Sequence, residues 1–163
     1  MGCEFGLWLE WNFNTSLEWA AQAAPNHRRG HSYVRDLNHL KRREPALYEV
    51  VFVWTCFNWI DSNDSDNSVF SFVRNAKSSD EFVVVVTNFT PVVRHGYRVG
   101  VPRAGFYKEI LNSDSSHYWG SNVGNAGGIQ TEDVPFHSHD QSLALTLAPL
   151  ATIYLKLSSE TTS

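Results

Sequence analysis

Between residues 57 and 157 short segments repeat in which apolar side chains recur at every second position, and this period decides what the chain can fold into. In "SLALTL" (142–147) Leu143, Leu145 and Leu147 alternate with Ser142, Ala144 and Thr146. In "ATIYLKL" (151–157) Ile153, Leu155 and Leu157 repeat the pattern. Successive side chains of a strand point to opposite faces, so each segment has one buried face and one wetter face. The stretches 68–74, 81–89, 96–101 and 106–111 read as strands in the same way, with Phe57 to Ile60 a seventh. The unbroken "FVVVV" run (82–86) is expected to be covered on both faces, as a central strand. Turn-rich stretches such as "DSNDSDN" and "APLA" separate the strands, and no helical pattern lies between them. The fold class predicted is mainly β, an antiparallel β-sandwich.

Before Pro45 the period differs. Tyr33, Val34, Leu37 and Leu40 share one helix face in "HRRGHSYVRDLNHLKRREP", basic residues fill the last turn, and Pro45 stops the helix. Upstream, Asn14, Thr15 and Ser16 offer turn or cap chemistry before another short helical piece. The insertion "NSDSSHYWGSNVGNAGG" (112–128) is a loop by its glycines and small polar residues. The chain divides into 1–44, a β domain at 45–157, and a tail at 158–163.

At 163 residues the chain can bury a core without disulfide staples. Its formal charge of −4, with no basic cluster beyond Lys41, Arg42 and Arg43, argues against nucleic acid as a partner. Cys3 and Cys56 form no CxxC spacing, which favours a reducing, cytoplasmic setting. The first thirty residues lack the pattern of a signal peptide, no apolar run reaches membrane-spanning length, and the sequons at Asn14, Asn63 and Asn88 read as coincidental. Aromatic residues make up 13% of the chain, a content that serves sugar stacking and β cores alike.

Motifs remove whole reaction classes. The chain lacks GxSxG, the phosphate-cradling GxxxxGK[ST] and the dinucleotide GxGxxG, so no cofactor is expected. His27 with His31, and His137 with His139, have spacings that put each pair on one face, yet neither has a third ligand at a fitting distance in sequence, so no metal is expected. Glu4 and Glu10 lie among Trp8 and Trp11, the setting of glycosidase carboxylates. Glycosidase chemistry needs two carboxyl groups held about 5 Å apart or more on a rigid frame, and the chain offers no frame for this pair.

The segments "MGCEF", "HRRGHSYVRDLNHL", "FNWID", "NSVFSFVR", "NFTPVVRHGYRVGVP", "EILNSDSSHYWGSNVGNAGG" and "SLALTLAPLATIYLK" resemble the C-terminal end of bacterial 1,4-α-glucan (glycogen) branching enzymes of the α-amylase superfamily. The likeness runs from Met1 to about Leu157. It implies that the sandwich is an α-amylase-type C-terminal domain, and that 1–44 is the last strand end and helix of a truncated (β/α)8 barrel. None of the family's three catalytic carboxylates falls on a matched position, so the chain alone is expected to be inactive. The resemblance implies α-glucan as the partner in the parent enzyme, with Glu4 at a strand end near the sugar cleft. Trp8 and Trp11 either stack on glucose units or wall the barrel mouth; Tyr118 and Trp119 contact sugar or pack the loop locally. A helix stripe shaped for an absent barrel further predicts fast amide exchange across 1–44. One departure stands out: "VWTC" replaces the family's turn-forming stretch with its glycine, so Cys56 sits where a tight turn is expected.

Overall fold

A computed structural model describes residues 2–9, 12–78 and 80–158. Glu10 and Trp11 lie outside the described residues, as does 159–163 of the tail. The first ordered element is a 3₁₀ turn at Cys3–Phe5, entered through Gly2 at φ 80° and left through Gly6 at φ 61°. A second 3₁₀ turn, Trp19–Ala23, occupies the place of the short helical piece. Helix α1 (Pro25–Arg43) follows with Pro at its first turn, where the missing N–H costs nothing. Lys41, Arg42 and Arg43 crowd its last turn, facing the negative end of the dipole. Glu44 breaks it in extended backbone because Pro45 excludes the helical conformation from the residue before it. Pro45 then opens the one-turn helix α2 (Pro45–Tyr48).

Among the described residues eight strands follow: β1 (Phe57–Asp64), β2 (Val69–Asn75), β3 (Phe82–Asn88), β4 (Arg94–Val101), β5 (Phe106–Asn112), β6 (Gly128–Gln130), β7 (Gln141–Leu147) and β8 (Ala151–Leu157). Six make one sheet in the order β1-β2-β3-β8-β5-β6, and β4 pairs with β7 in a second sheet. Every pairing is antiparallel. The sandwich is therefore lopsided, a wide sheet facing a narrow one. β3 is interior, between β2 and β8, as the FVVVV run requires.

Alternation sorts its valines. Val84 and Val86 enter the core between the sheets with Val99, Val101, Tyr107, Leu143, Leu145, Ile153 and Leu155. Val83 and Val85 bury on the opposite face against Ala46 of α2, with Phe72, Ile110 and Tyr154 packed beside them. The middle of the wide sheet is thus covered on both faces, by the second sheet and by the helical segment. Burying a residue of this size is worth roughly 1.5–3 kcal/mol, so the inter-sheet layer carries most of the stability.

One ion pair ties the end of α1 to the wide sheet, and Leu40 near that end is buried, 3% exposed. Buried Glu44 accepts from Lys156 Nζ on β8 at 2.6 Å, and the same ammonium reaches Glu81 at 3.1 Å. Burial pulls the Lys156 pKa down, but the hydrogen bonds it donates to the two carboxylates prevail and hold it above its ordinary value. Cys56 closes a 3₁₀ turn, Trp54–Cys56, and is buried; its thiol points at the Val51 carbonyl, 3.8 Å away.

Candidate functional site

The outer face of β1, β2 and the end of β3 carries a row of aromatic rings. β2 alternates Val69, Ser71 and Val73, all buried, with Phe70 and Phe72 on the other face. Register sets Trp59 of β1 directly opposite Phe72, and residues facing one another across antiparallel strands share a face. Phe57 lies edge-on to Trp59 at 4.8 Å and 4.9 Å from Phe72. Trp59 meets Phe70 at 6.0 Å, and Phe70 meets Phe89 at 5.4 Å. Trp59 and Phe89 remain 54% and 56% exposed. Such rings on the wet face of a sheet hold one another upright and leave π faces for a guest. At the far end Ser62, Asn63, Asp64, Ser65 and Ser68 border Phe70 and Phe89 around a cavity of about 540 Å³, so hydrogen-bonding groups stand beside the rings.

Asp64 anchors that rim. It accepts from Tyr97 Oη at 2.6 Å and from the backbone and side chain of Asn67, and Asn67 Oδ1 in turn accepts from Arg94 at 2.6 Å. Burial works against its charge, but the bonds from Tyr97 and Asn67 prevail and hold the carboxyl below its ordinary range. Tyr97 moves the opposite way, raised first by burial and then by its bond to Asp64.

The residues singled out in sequence lie elsewhere, around α1. Glu4 is exposed on the Cys3–Phe5 turn and borders a groove with His31, Arg35, Asn38 and Arg42 of α1. Trp8 is 76% exposed and sets its ring against His27 at 5.3 Å. His27 is itself buried, its Nδ1–H donating to the Phe5 carbonyl at 2.8 Å, which pins the N-terminal turn to the helix. Tyr118 and Trp119 share the loop 112–128. Tyr118 is half-buried against α1, edge-on to Tyr33 at 5.2 Å, whereas Trp119 stands 65% exposed at φ 75°. The structure thus brings Tyr118 to the helix that carries the Glu4 groove, on a loop that leaves β5, with β3 and β8 between that strand and the β1–β2 pair of the aromatic row. His137 bridges elsewhere: its Nδ1 accepts from Gly100 N–H at 3.4 Å and its Nε2 faces Asp61 at 3.3 Å. Among the described residues no group of three or more His, Cys, Asp or Glu is placed to hold a metal ion, and no helix is long and apolar enough to cross a membrane.

The aromatic row escaped sequence reasoning. Its signal was present in the outward positions of "FNWID" and "SVFSFVR", where an exposed strand face ordinarily carries polar residues; here it carries Phe57, Trp59, Phe70 and Phe72.

Known proteins resemble this chain in sequence and fold. Residues 59–158 match the family described as alpha amylase, C-terminal all-beta domain. The 1,4-alpha-glucan branching enzyme GlgB of Aquifex aeolicus is 49% identical over 156 residues, 96% of this chain and 25% of that protein. The enzyme of the same name from a Synechocystis species is 50% identical over 158 residues, 97% of this chain and 20% of that protein. The chain therefore spans a quarter or less of the length of these relatives. Among solved structures, a MUTB mutant from crystals soaked with trehalulose has a TM-score of 0.55 at 22% identity, covering 92% of this chain and 22% of that one; the likeness is one of fold. The chain is homologous to the C-terminal region of GlgB branching enzymes, and it belongs to the alpha-amylase C-terminal all-beta domain family.

Proposed function

We propose that this chain is the C-terminal part of a 1,4-α-glucan branching enzyme acting on glycogen in the cytoplasm, and that its task there is to hold glucan while reacting groups elsewhere cut and transfer it. The observation that carries this reading is identity of 49–50% to GlgB enzymes across 96–97% of the chain. Residues 1–44 then serve as the end of a catalytic barrel and 45–157 as the β domain docked on it. In that frame Glu4, Trp8 and Trp11 stand at the rim of the sugar cleft, with Tyr118 and Trp119 as a further contact. The exposure of Trp8 and Trp119 supports the assignment, because both leave a ring face free for a glucose unit.

Glucan holding is favoured independently by the aromatic row. Trp59, Phe70 and Phe89 offer successive exposed rings beside hydroxyl and carboxylate groups, the combination that takes the apolar face and the hydroxyl edge of a pyranose together.

Two measurements test these readings. Amylose incubated with the purified chain is expected to keep its iodine stain, and measurable branching would overturn the assignment of chemistry to other segments. In native gels cast with amylopectin the chain is expected to be retarded, and Trp59→Ala with Phe70→Ala to relieve the retardation. Equal mobility with and without amylopectin would sink the glucan-holding role.

A further inference from the structure

The loop 112–128 folds back over β5 and leaves a polar cup of about 710 Å³. Glu109 and Asn112 of β5 border it, as do Ser115, Tyr118, Asn122 and Asn125 of the loop. Its lining contrasts with the aromatic row: a carboxylate, amides and a hydroxyl replace stacked rings. The cup is rigidly built. Asp114 accepts from the backbone N–H groups of Ser121 and Val123 and from Ser121 Oγ, which fixes the loop from below. Gly120 passes so close to the Asp114 carbonyl that a Cβ there would collide with it. Trp119, Asn122 and Ala126 are held in left-handed backbone, at φ 75°, 63° and 51°, a conformation that persists only where the surroundings over-determine it.

The hydrogen bonds within the cup leave capacity unused on two of its bordering residues. Glu109 accepts from Asn112 Nδ2 at 3.1 Å, from Asn125 Nδ2 at 3.0 Å and from the Asn125 backbone N–H at 3.3 Å. No Lys, Arg or His pairs with it among the described residues. A carboxylate offers about four acceptor sites, so Glu109 retains one. Asn122 uses its Oδ1 to accept from Ser116 N–H at 3.3 Å, while its Nδ2 makes no hydrogen bond among the described residues. An unused acceptor and an unused amide donor therefore border one cavity. Vicinal sugar hydroxyls supply the complement, since each is at once a donor and an acceptor.

We infer that the cup binds one glucosyl residue of an α-glucan by its hydroxyls, with Glu109 accepting and Asn122 Nδ2 donating. This site is separate from the aromatic row, and the inference rests on the glucan-holding role proposed above. Asn122 is the residue to probe, because its structural and binding atoms differ. Asn122→Asp keeps the oxygen that caps Ser116 and tolerates the left-handed backbone, but removes the donor and sets a second negative charge near Glu109.

The test is a titration of ¹⁵N-labelled chain with maltohexaose, followed by amide resonances. Ser115, Asn122, Gly124 and Asn125 are expected to shift as one site, and Trp59, Phe70 and Phe89 as another. Asn122→Asp should weaken the first site about fivefold, the effect of one hydrogen bond, and leave the second unchanged. Asn122→Gly, which suits the same φ, should weaken the first site alike. Cup amides that stay still while the aromatic row saturates would overturn the cup alone. Both sets staying still would overturn the glucan-holding role with it. Native-like cup affinity in both variants would also refute the inference.

Discussion

The Tyr118 hydroxyl donates to Asp36 Oδ2 at 3.0 Å, joining the loop 112–128 to helix α1 across 82 positions of sequence. Tyr33 of α1 meets the same ring edge-on, and His117 stands 3.6 Å from the same carboxylate. Tyr118 is pushed up to about 12, by burial first and then by the bond and charge of Asp36. Burial opposes the charge of Asp36, but the bonds from Arg35 and Tyr118 prevail and hold it below the usual carboxylate range. One hydroxyl thus fastens the loop that carries Trp119 to the segment that carries Glu4.

Tyr118→Phe keeps the ring contact with Tyr33 and removes only the donor. It should cost about 1 kcal/mol, or a Tm fall of about 2–4 °C. Asp36→Ala combined with Tyr118→Phe should cost less than the sum of the two single changes, because both remove the same bond. Additive melting temperatures would show that the bond contributes nothing in solution.

Acid should loosen the molecule in a defined window. Asp36, Asp64 and Asp114 all have folded pKa values below the ordinary one: burial opposes each charge, and hydrogen bonds outweigh it. A depressed carboxylate contributes stability above its unfolded pKa, about 3.9, and loses it as pH falls through the folded value. The contribution of these three carboxylates to the urea midpoint should therefore hold steady from pH 7 to about 5 and decline below about 4, while His139, whose pKa burial lowers, takes stability away as pH falls below its ordinary value of 6.5. The triple Asn variant should start lower and decline less; an unchanged slope would refute this account.

Lys156→Met should destabilise far more than an exposed ion pair would suggest. Among the described residues it leaves Glu44, whose side chain is 8% exposed, with only Arg43 as an ion partner, at 3.5 Å. Removing one partner of a buried pair costs on the order of 3 kcal/mol, whereas exposed pairs are worth less than about 1 kcal/mol. Chemical denaturation reads the difference, and adding Glu44→Gln should recover part of it.

Hydrogen exchange should divide the first 44 residues in two. The second half of α1 has buried Leu40, the Tyr118 bond and the Glu44–Lys156 pair, so amides near 36–43 should exchange slowly. Residues 2–9 and 12–24 rest on the His27 bond to Phe5 and the stacking of Phe5 on Trp19 at 5.7 Å, and should exchange faster. Uniformly fast exchange would mean that α1 is not held by the β domain.

The β domain was legible in sequence because its signal is local. Alternation in 142–147 and 151–157, and the valine run of β3, each report burial one strand at a time. β6 was not, since Gly128–Gln130 is three residues inside a loop composition and pairs only because β5 offers it an edge. Pro45 announced the end of α1 but also opened α2, which the stop signal hid. The candidate sites were the least legible. Trp59 faces Phe72 through strand register, and Asn122 shares a cavity with Glu109 through a loop fold; neither proximity is written in any spacing.

The sheet order has a consequence for synthesis. β8, made after the other seven strands, lies between β3 and β5 in the middle of the wide sheet. Until Ala151–Leu157 leaves the ribosome, β3 and β5 each present an unpaired edge beside exposed valines and leucines, the surface on which chains associate wrongly. Translation must therefore run past Leu157 before the domain can close. A stop codon placed only a few residues earlier would remove the keystone of the sheet, and the product should be found in inclusion bodies.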